Sequence, residues 1–216
     1  IHNGWIKNNT NVFGSRTAME LRGFPCVSLE PHEEKRKNCC VSRSFGRKVT
    51  RLEELSEAIT AHCLNAAEKI RLDKQTVKKI TVFIRTSSFQ KEKDYYANSK
   101  DVDLPIRTND SIKLVKQALI SLKSIYKKGY KYQKAGIIFS GLQDINSYNK
   151  NLFSSIGNEN KREKLMKAID YTNAKYGRHS LSIAQAGLKK VWGSKRQHYS
   201  KIDTACFRFL PTVRTI

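Results

Sequence analysis

The fold is decided by one nine-residue segment, Val41-Ser42-Arg43-Ser44-Phe45-Gly46-Arg47-Lys48-Val49. Small or apolar residues alternate here with cations, which is typical of a strand with one buried face and one face toward something anionic. Gly46 leaves room for the close approach of another backbone. An edge strand whose cations only maintain solubility would show the same pattern, so the neighbouring sequence must separate the two interpretations.

A helix is predicted directly after this segment. Thr50 and Glu53 have the spacing of a capping box, in which each side chain bonds the backbone N–H of the other residue. The apolar positions then recur at helical spacing. They are Leu52, Leu55, Ile59, Cys63, Ala66 and Ile70.

The residues that follow predict three more strands and a second helix. The strands are predicted at 79–87, 101–107 and 132–140, and Asp110 begins an amphipathic helix before the last of them. The resulting β-α-β-β-α-β order is an α+β fold, with a four-stranded sheet and both helices on one face. The other face is open and is expected to present cations and hydroxyls, which suit a phosphodiester backbone.

Charge is the strongest signal in the composition. The 216 residues contain 41 Lys and Arg against 19 Asp and Glu, a net charge of +22. Residues 40–140 contribute +11 and residues 161–216 contribute +10. A surplus of this size favours a polyanionic partner, either nucleic acid or an anionic membrane surface.

Composition divides the chain into four parts. Residues 1–39 are a loosely patterned N-terminal connector, in which 8–11 and 14–15 predict turns or disorder. Residues 40–140 form the α+β domain, and 141–160 are a polar linker. Residues 161–216 are a small basic domain, mainly helical, with one helix ending at Tyr176 and a second short helix at 181–187.

Several functional classes have no support in the sequence. Two-metal nucleotidyl transfer needs clustered carboxylates, but Asp94, Asp101 and Asp103 fall in or beside a loop. The five cysteines include no CxxC pair, so reduced thiols and a cytoplasmic location are expected. His62-Cys63 has no second ligand pair at metal spacing. We expect no signal peptide, and no apolar run in these residues reaches transmembrane length.

The segments Ser42-Arg43-Ser44-Phe45-Gly46, Val82-Phe83-Ile84-Arg85-Thr86 and Ala135-Gly136-Ile137 together resemble the little finger of a Y-family translesion DNA polymerase. The flanks are similar to the UmuC type, the catalytic subunit of DNA polymerase V. On the N-terminal side the similar residues are Arg16, Glu20-Leu21, Gly23, Cys26 and Leu29-Glu30. On the C-terminal side they are Asn173, Tyr176-Gly177-Arg178, Leu181, Ala184, Gly187, Trp192, Arg196, Ser200, Thr204 and Leu210-Pro211.

The resemblance covers roughly residues 16–214 and has clear departures. Ala205 and Phe207 stand where the family usually has threonine and tryptophan, and residues 1–15 resemble nothing in the family. The family's palm, fingers and thumb would precede Arg16. We therefore expect no catalytic residues and no cofactor in this chain, because magnesium would belong to the catalytic palm. The first residue, Ile1, suggests a fragment of a longer protein or a truncated product.

By resemblance, the chain would grip primer–template DNA without sequence preference and tether an error-prone SOS DNA-repair polymerase to its partners. The sheet face would lie against the duplex. Ten residues are the candidate contacts: Arg43, Ser44, Arg47, Lys48, Lys79, Arg85, Thr86, Ser87, Arg107 and Lys134. The expected protein partners are the sliding clamp and, by family, UmuD′ and RecA, with no role for a membrane.

A clamp-binding peptide is expected in the linker, at Asn149, Leu152 and Phe153. Leu152-Phe153 is the only adjacent pair of large apolar residues there, and it lies where UmuC-type proteins have such a peptide. Asn149 replaces the usual glutamine and is one methylene shorter. The alternative is that Leu152 and Phe153 only pin the linker to the nearer domain.

Two other functions remain compatible with the sequence. The chain could be a stand-alone protein that binds RNA or an anionic surface on a similar α+β frame. RNA-binding sheets display aromatic residues for base stacking, and Phe83 would be the main candidate. Glu53, Glu54 and Glu57 early in the first helix weigh against a membrane-binding helix. An inactive truncated remnant is the other alternative.

Overall fold

The computed structural model describes residues 3–28, 35–89, 95–147, 156–188 and 190–194, without the side chains of residues 156–159. The chain divides into two units, Ile1–Lys35 and Arg36–Ile216. The N-terminal unit contains α1 (Asn3–Asn9) and α2 (Val12–Glu20). The turns predicted at 8–11 and 14–15 are therefore wrong in large part. Asn11 instead caps α2, since its side chain accepts a hydrogen bond from the Gly14 N–H at 3.0 Å.

The second unit is built around an antiparallel sheet. Its strands are β1 (Cys39–Val49), β2 (Gln75–Thr86), β3 (Ala97–Thr108) and β4 (Tyr132–Ser140), in the spatial order β1-β4-β2-β3. A two-residue strand, β5 (Gln143–Asp144), pairs with the beginning of β2. The α+β class and the β-α-β-β-α-β order predicted from the sequence are confirmed. The third strand is longer than the predicted 101–107.

Two helices cover one face of this sheet. The first, α3 (Leu52–Leu72), buries the predicted positions from Leu55 to Ile70. The capping box predicted at Thr50 and Glu53 is wrong, because α3 begins at Leu52 with Arg51 as its N-cap and no side-chain capping bond. Glu53 bonds Arg51 instead, at 3.4 Å.

The second helix is α4 (Ser111–Ile125), and its cap is the predicted one. Asp110 accepts hydrogen bonds from the backbone N–H groups of Ile112 and Lys113, which satisfies two donors that have no partner within the helix. Its buried face includes Leu114 and Leu122, whereas Ile112, in the first turn, is 40% exposed.

The core lies between the two helices and one face of the sheet. From the sheet it contains alternate residues of the two central strands, namely Ile80, Val82, Ile84, Ala135, Ile137 and Phe139. This alternation places their neighbours in the chain on the opposite, uncovered face.

A third helix, α5 (Ile156–Tyr176), packs on the helical side through two arginines. Arg71 of α3 makes two hydrogen bonds of 2.7 Å to the Asp170 carboxylate, and Arg162 pairs with Asp110. This helix begins inside the predicted linker and ends at Tyr176 as predicted. The short helix predicted at 181–187 is only a 3-10 turn, Ala184–Ala186.

Trp192 joins the end of the described chain to strand β1. Its ring packs edge-on against Phe45, at 6.1 Å between centroids, and against His62, at 5.6 Å. Its carbonyl accepts a hydrogen bond of 3.1 Å from the Gly46 N–H. The close backbone approach predicted at Gly46 is therefore confirmed.

Candidate nucleic-acid interface

The uncovered side of the sheet, here called the open face, consists of residues in register across the four main strands. Strand β2 contributes Lys79, Thr81, Phe83 and Arg85. Strand β4 contributes Lys134, Gly136, Ile138 and Ser140, and β1 contributes Ser42 and Ser44. Strand β3 contributes Ser99, Asp101 and Asp103. The face mixes hydroxyls and charges around one aromatic ring.

The centre of the open face is flat because Gly136 has no side chain. In the sheet register, Gly136 lies between Phe83 on one neighbouring strand and Ser42 on the other. A Cβ added at Gly136 would overlap both the Phe83 ring and the Ser42 side chain. The ring therefore lies across β4, which makes the middle of the face smooth enough for the close approach of a large partner.

One end of the open face is basic. Arg85 and Lys134 are direct cross-strand neighbours, and Lys134 is also opposite Ser44. Among the described residues neither cation is in an ion pair. Two adjacent cations with a hydroxyl beside them are an arrangement that a phosphate diester could bridge, since the oxygens of phosphate accept hydrogen bonds from all three.

The other end is close to neutral. The Lys79 ammonium lies 3.0 Å from the Asp101 carboxylate. The hydrogen bond between them raises the pKa of Lys79 and lowers that of Asp101. Asp103 is opposite Lys79 in the same register. An anionic ligand would therefore bind less strongly here than at Arg85 and Lys134.

Two predicted contacts on β1 lie on the helical side instead. Arg43 is opposite Ala135, which is fully buried, so its side chain starts from the covered face. Burial and then the charge of Arg43 lower the pKa of His62, in α3, to about 4. Arg47 pairs with Glu54 at the start of α3, at 3.0 Å. Neither side chain belongs to the open face.

Thr86 is also turned away from the open face. Thr86 continues the alternation of Ile80, Val82 and Ile84, so it lies on the covered side, where it is 1% exposed. Its hydroxyl accepts a hydrogen bond from the Tyr96 N–H at 2.9 Å, and its own N–H donates to the Tyr96 carbonyl at 2.8 Å. A group this buried cannot contact a ligand on the surface.

The remaining candidates lie near the edges of the face. Ser87 is partly exposed and accepts from the Phe89 N–H at 3.3 Å, and Arg107 donates to the Gly141 carbonyl. Lys48 is exposed beside the buried Val49. The structure thus brings four of the ten predicted residues together on the open face: Ser44, Lys79, Arg85 and Lys134. That any of the ten contacts DNA stays a prediction.

Ile138, Thr81 and Ser42 are on the same face and were not among the ten predicted contacts. The period-two alternation of β4 could have identified Ile138, because it lies between the apolar residues Ile137 and Phe139. The predicted clamp-binding residues, Asn149, Leu152 and Phe153, lie outside the described residues.

The described part of the chain has neither a cluster of metal ligands nor a helix suited to span a membrane. No three His, Cys, Asp or Glu side chains in it are grouped so that they could hold a metal ion. Its helices also include none with the length and apolar character needed to cross a bilayer.

The part of the chain that forms the sheet with α3 and α4 matches one family model, and the part that follows matches another. Residues 36–152 match the impB/mucB/samB family C-terminal domain, and residues 163–213 match a domain of unknown function, DUF4113. The chain belongs to the impB/mucB/samB family. The resemblance to the C-terminal part of UmuC-type Y-family polymerases, a class of SOS and translesion DNA-repair proteins, is thereby confirmed.

Individual relatives agree with this assignment. The chain is 36% identical over 209 residues to Protein UmuC of Salmonella typhimurium strain LT2. It is 32% identical to Protein ImpB of Salmonella typhimurium and 33% identical to Protein MucB of Escherichia coli. These alignments cover 95–97% of this chain and 48–50% of the relatives. The chain therefore spans about half the length of the relatives it matches.

Proposed function

We propose that this chain is the DNA-gripping and partner-tethering part of a UmuC-type translesion polymerase. The observation that carries the proposal is the adjacent pair of Arg85 and Lys134 on a flat, uncovered sheet face. Contacts to phosphates fix the position of a protein on a duplex without reading its sequence. A polymerase that copies damaged templates needs this kind of grip, because it must hold whatever sequence it meets.

The difference between the two sides of the sheet supports a duplex on the open face. The described helices of this unit, α3, α4 and α5, all lie on the side of the sheet opposite the open face. The surplus of +11 in residues 40–140 then favours a polyanion as the partner of that face. Phe83 lies across Gly136, which favours a smooth contact with a duplex over the insertion of separate bases.

The proposal also covers what acts together with this chain. Catalysis and magnesium binding belong to a palm that these residues do not supply. The polymerase acts in the cytoplasm, and UmuD′ and RecA are its further partners. Primer extension by the purified 216 residues would contradict this division.

We propose that Asn149, Leu152 and Phe153 bind the sliding clamp. The double variant Leu152→Ala/Phe153→Ala should then lose clamp binding in calorimetry while its DNA affinity stays unchanged.

The salt dependence of duplex binding tests the DNA proposal. Each phosphate neutralised contributes about 0.9 to the slope of log affinity against log salt. Arg85→Ala/Lys134→Ala should therefore flatten the slope by about 1.8 for a blunt duplex of arbitrary sequence. The matched control is Arg43→Ala/Arg47→Ala, which removes the same charge from the other side of the sheet module and should change the slope little.

Two results would contradict the proposal. Equal flattening in both variants would show that binding depends on net charge and not on the open face. Tighter binding to a single-stranded RNA than to a DNA duplex of equal charge would assign the face to RNA. Thermal unfolding of each variant shows whether a loss of affinity reflects a loss of folded protein.

A further inference from the structure

A second basic surface starts at helix α4, in a segment of the sequence without acidic residues. Between Ser111 and Gln143 there are seven lysines and no Asp, Glu or Arg. In order, they are Lys113, Lys116, Lys123, Lys127, Lys128, Lys131 and Lys134. All except Lys134 are exposed, and within the described residues none of the seven is ion-paired. The first six are here called the lysine track.

The first half of the track is a row along α4. Lys113, Lys116 and Lys123 share its outer side, because positions three, seven and ten residues apart point in similar directions on a helix of 3.6 residues per turn. The inner side, with Leu114 and Leu122, is fully buried. At 1.5 Å per residue the row is about 15 Å long.

The second half lies in the turn between α4 and β4, which is held in place. The phenol of Tyr132 accepts a hydrogen bond from the Lys127 N–H and donates to the Lys127 carbonyl, both at 2.9 Å. The Tyr126 hydroxyl donates to the Thr50 carbonyl at 2.8 Å. The Lys127 ammonium lies 5.0 Å from the centre of the Tyr96 ring. The lysines of the turn therefore extend from an anchored backbone.

This turn leads directly to the basic end of the open face. Strand β4 begins at Tyr132, and Lys134, two residues further on, is the cross-strand neighbour of Arg85. Positive charge thus continues from the open face, round the end of the sheet and back along the helical side. A ligand that followed it would have to bend around that end.

The bend decides which polyanion fits. Double-stranded DNA has a persistence length of about 150 base pairs, so a duplex on the open face cannot turn onto the helical side within a few nucleotides. A single strand can. Apolar groups on which bases can rest lie among the lysines: Ile120 is 54% exposed, and the half-buried Tyr130 packs at 4.8 Å on Tyr96.

We propose that the lysine track binds the single-stranded segment that continues from a duplex held on the open face. The position of the duplex in this inference rests on the proposed function. Binding of the single-stranded tail depends only on the lysine track. The track would keep an unpaired strand close to the protein through its phosphates, without sequence preference.

Three DNA probes separate the two surfaces: a blunt duplex, the same duplex with a single-stranded tail of about 12 nucleotides, and the free tail. The track variant is Lys116→Gln/Lys123→Gln/Lys127→Gln/Lys128→Gln. The control, Lys100→Gln/Lys161→Gln/Lys164→Gln/Lys175→Gln, removes four exposed lysines elsewhere. Affinities are measured by fluorescence anisotropy over a range of salt concentrations.

In the wild type the tail should tighten binding and steepen the salt slope by about 2.8, which corresponds to four single-strand phosphates. The ratio of tailed-duplex to blunt-duplex affinity should then fall about 50-fold between 50 and 200 mM salt. The track variant should bind the tailed and the blunt duplex equally and keep the wild-type salt slope for the blunt duplex. The control variant should keep both the extra affinity for the tail and that slope.

Several results would overturn the inference. The first is that the tail does not change the affinity of the wild type. The second is that the track and control variants lose the same affinity for the tailed duplex. The third is that a poly-glutamate peptide binds more tightly than the free tail at equal charge. The last would assign the track to an acidic protein. If the blunt duplex fails to bind while the free tail binds through the track, the proposed function is wrong and the track remains.

Discussion

Arg71 and Arg85 belong to the same unit of the chain but lie in opposite surroundings. Arg71, on the helical side, is 11% exposed in its side chain and bonds Asp170, the Asn109 carbonyl and the Ser111 hydroxyl. Arg85, on the open face, is exposed, and within the described residues it is in no ion pair. The difference shows that net charge counts toward a polyanionic partner only where no acidic residue of the chain already neutralises it.

The largest expected effect comes from removing the internally bonded arginine. Arg71→Ala leaves the partly buried Asp170 carboxylate without its partner, so the free energy of unfolding should fall by about 3 kcal/mol. Urea denaturation measures this. Blunt-duplex affinity should not change, because Arg71 is on the helical side.

The exposed pair of Lys167 and Glu163 is the control for Arg71. Lys167→Ala should change stability by less than about 0.5 kcal/mol, as is usual for a helical surface pair. If Arg71→Ala were as mild as Lys167→Ala, the packing of α5 on the helical side would not depend on this arginine.

The next effect concerns pH and His62. Because burial and the charges of Arg43 and Lys190 lower its folded pKa to about 4, the unfolded state, with an ordinary pKa of 6.5, binds more protons at any pH below 6.5. Stability due to this group is therefore lost as pH falls from about 6.5 toward 4. The loss should be about 2 kcal/mol between pH 6.5 and 4.5.

Urea denaturation at both pH values measures this loss, and His62→Phe should remove most of it. NMR titration then distinguishes the two faces of the sheet module. Arg43→Ala should raise the pKa of His62, since it removes a nearby positive charge, whereas Arg85→Ala should leave it unchanged. The same shift in both variants would place Arg43 and Arg85 at similar distances from His62.

The smallest effect sharpens the comparison on the open face itself. Asp101→Asn removes the carboxylate that neutralises Lys79. Lys79 then becomes available to a phosphate, and the salt slope for duplex binding should steepen by at most about 0.9. A slope that is unchanged within error would mean that the duplex does not reach this end of the face.

Local signals in the sequence were enough for the architecture. Alternation in β4, helical spacing in α3 and the cap at Asp110 each depend on residues that are near one another in the chain. The prediction for the start of α3 was wrong because contacts from elsewhere in the fold competed with the local signal. Thr50 had the correct spacing for a capping box, but its carbonyl accepts from the distant Tyr126 hydroxyl and α3 begins after Arg51.

The site was only partly predictable, for a geometric reason. Alternation distinguishes the two faces of a strand. It already places Thr86 on the face of Ile84 and Arg43 on the face of Phe45, and the structure has both on the covered side. Alternation does not say which strands pair or in which register, so the neighbours Arg85 and Lys134 could not be read from residue types.

The sequence by itself determined the fold class, the family and the large positive charge of this protein, since these follow from local patterns and composition. Only the tertiary structure decided which cations remain unpaired. Asp170 neutralises Arg71 across 99 positions of the chain, while Arg85 and Lys134 are brought together by strand pairing. Charge acts through distance in space, and the folded chain sets that distance.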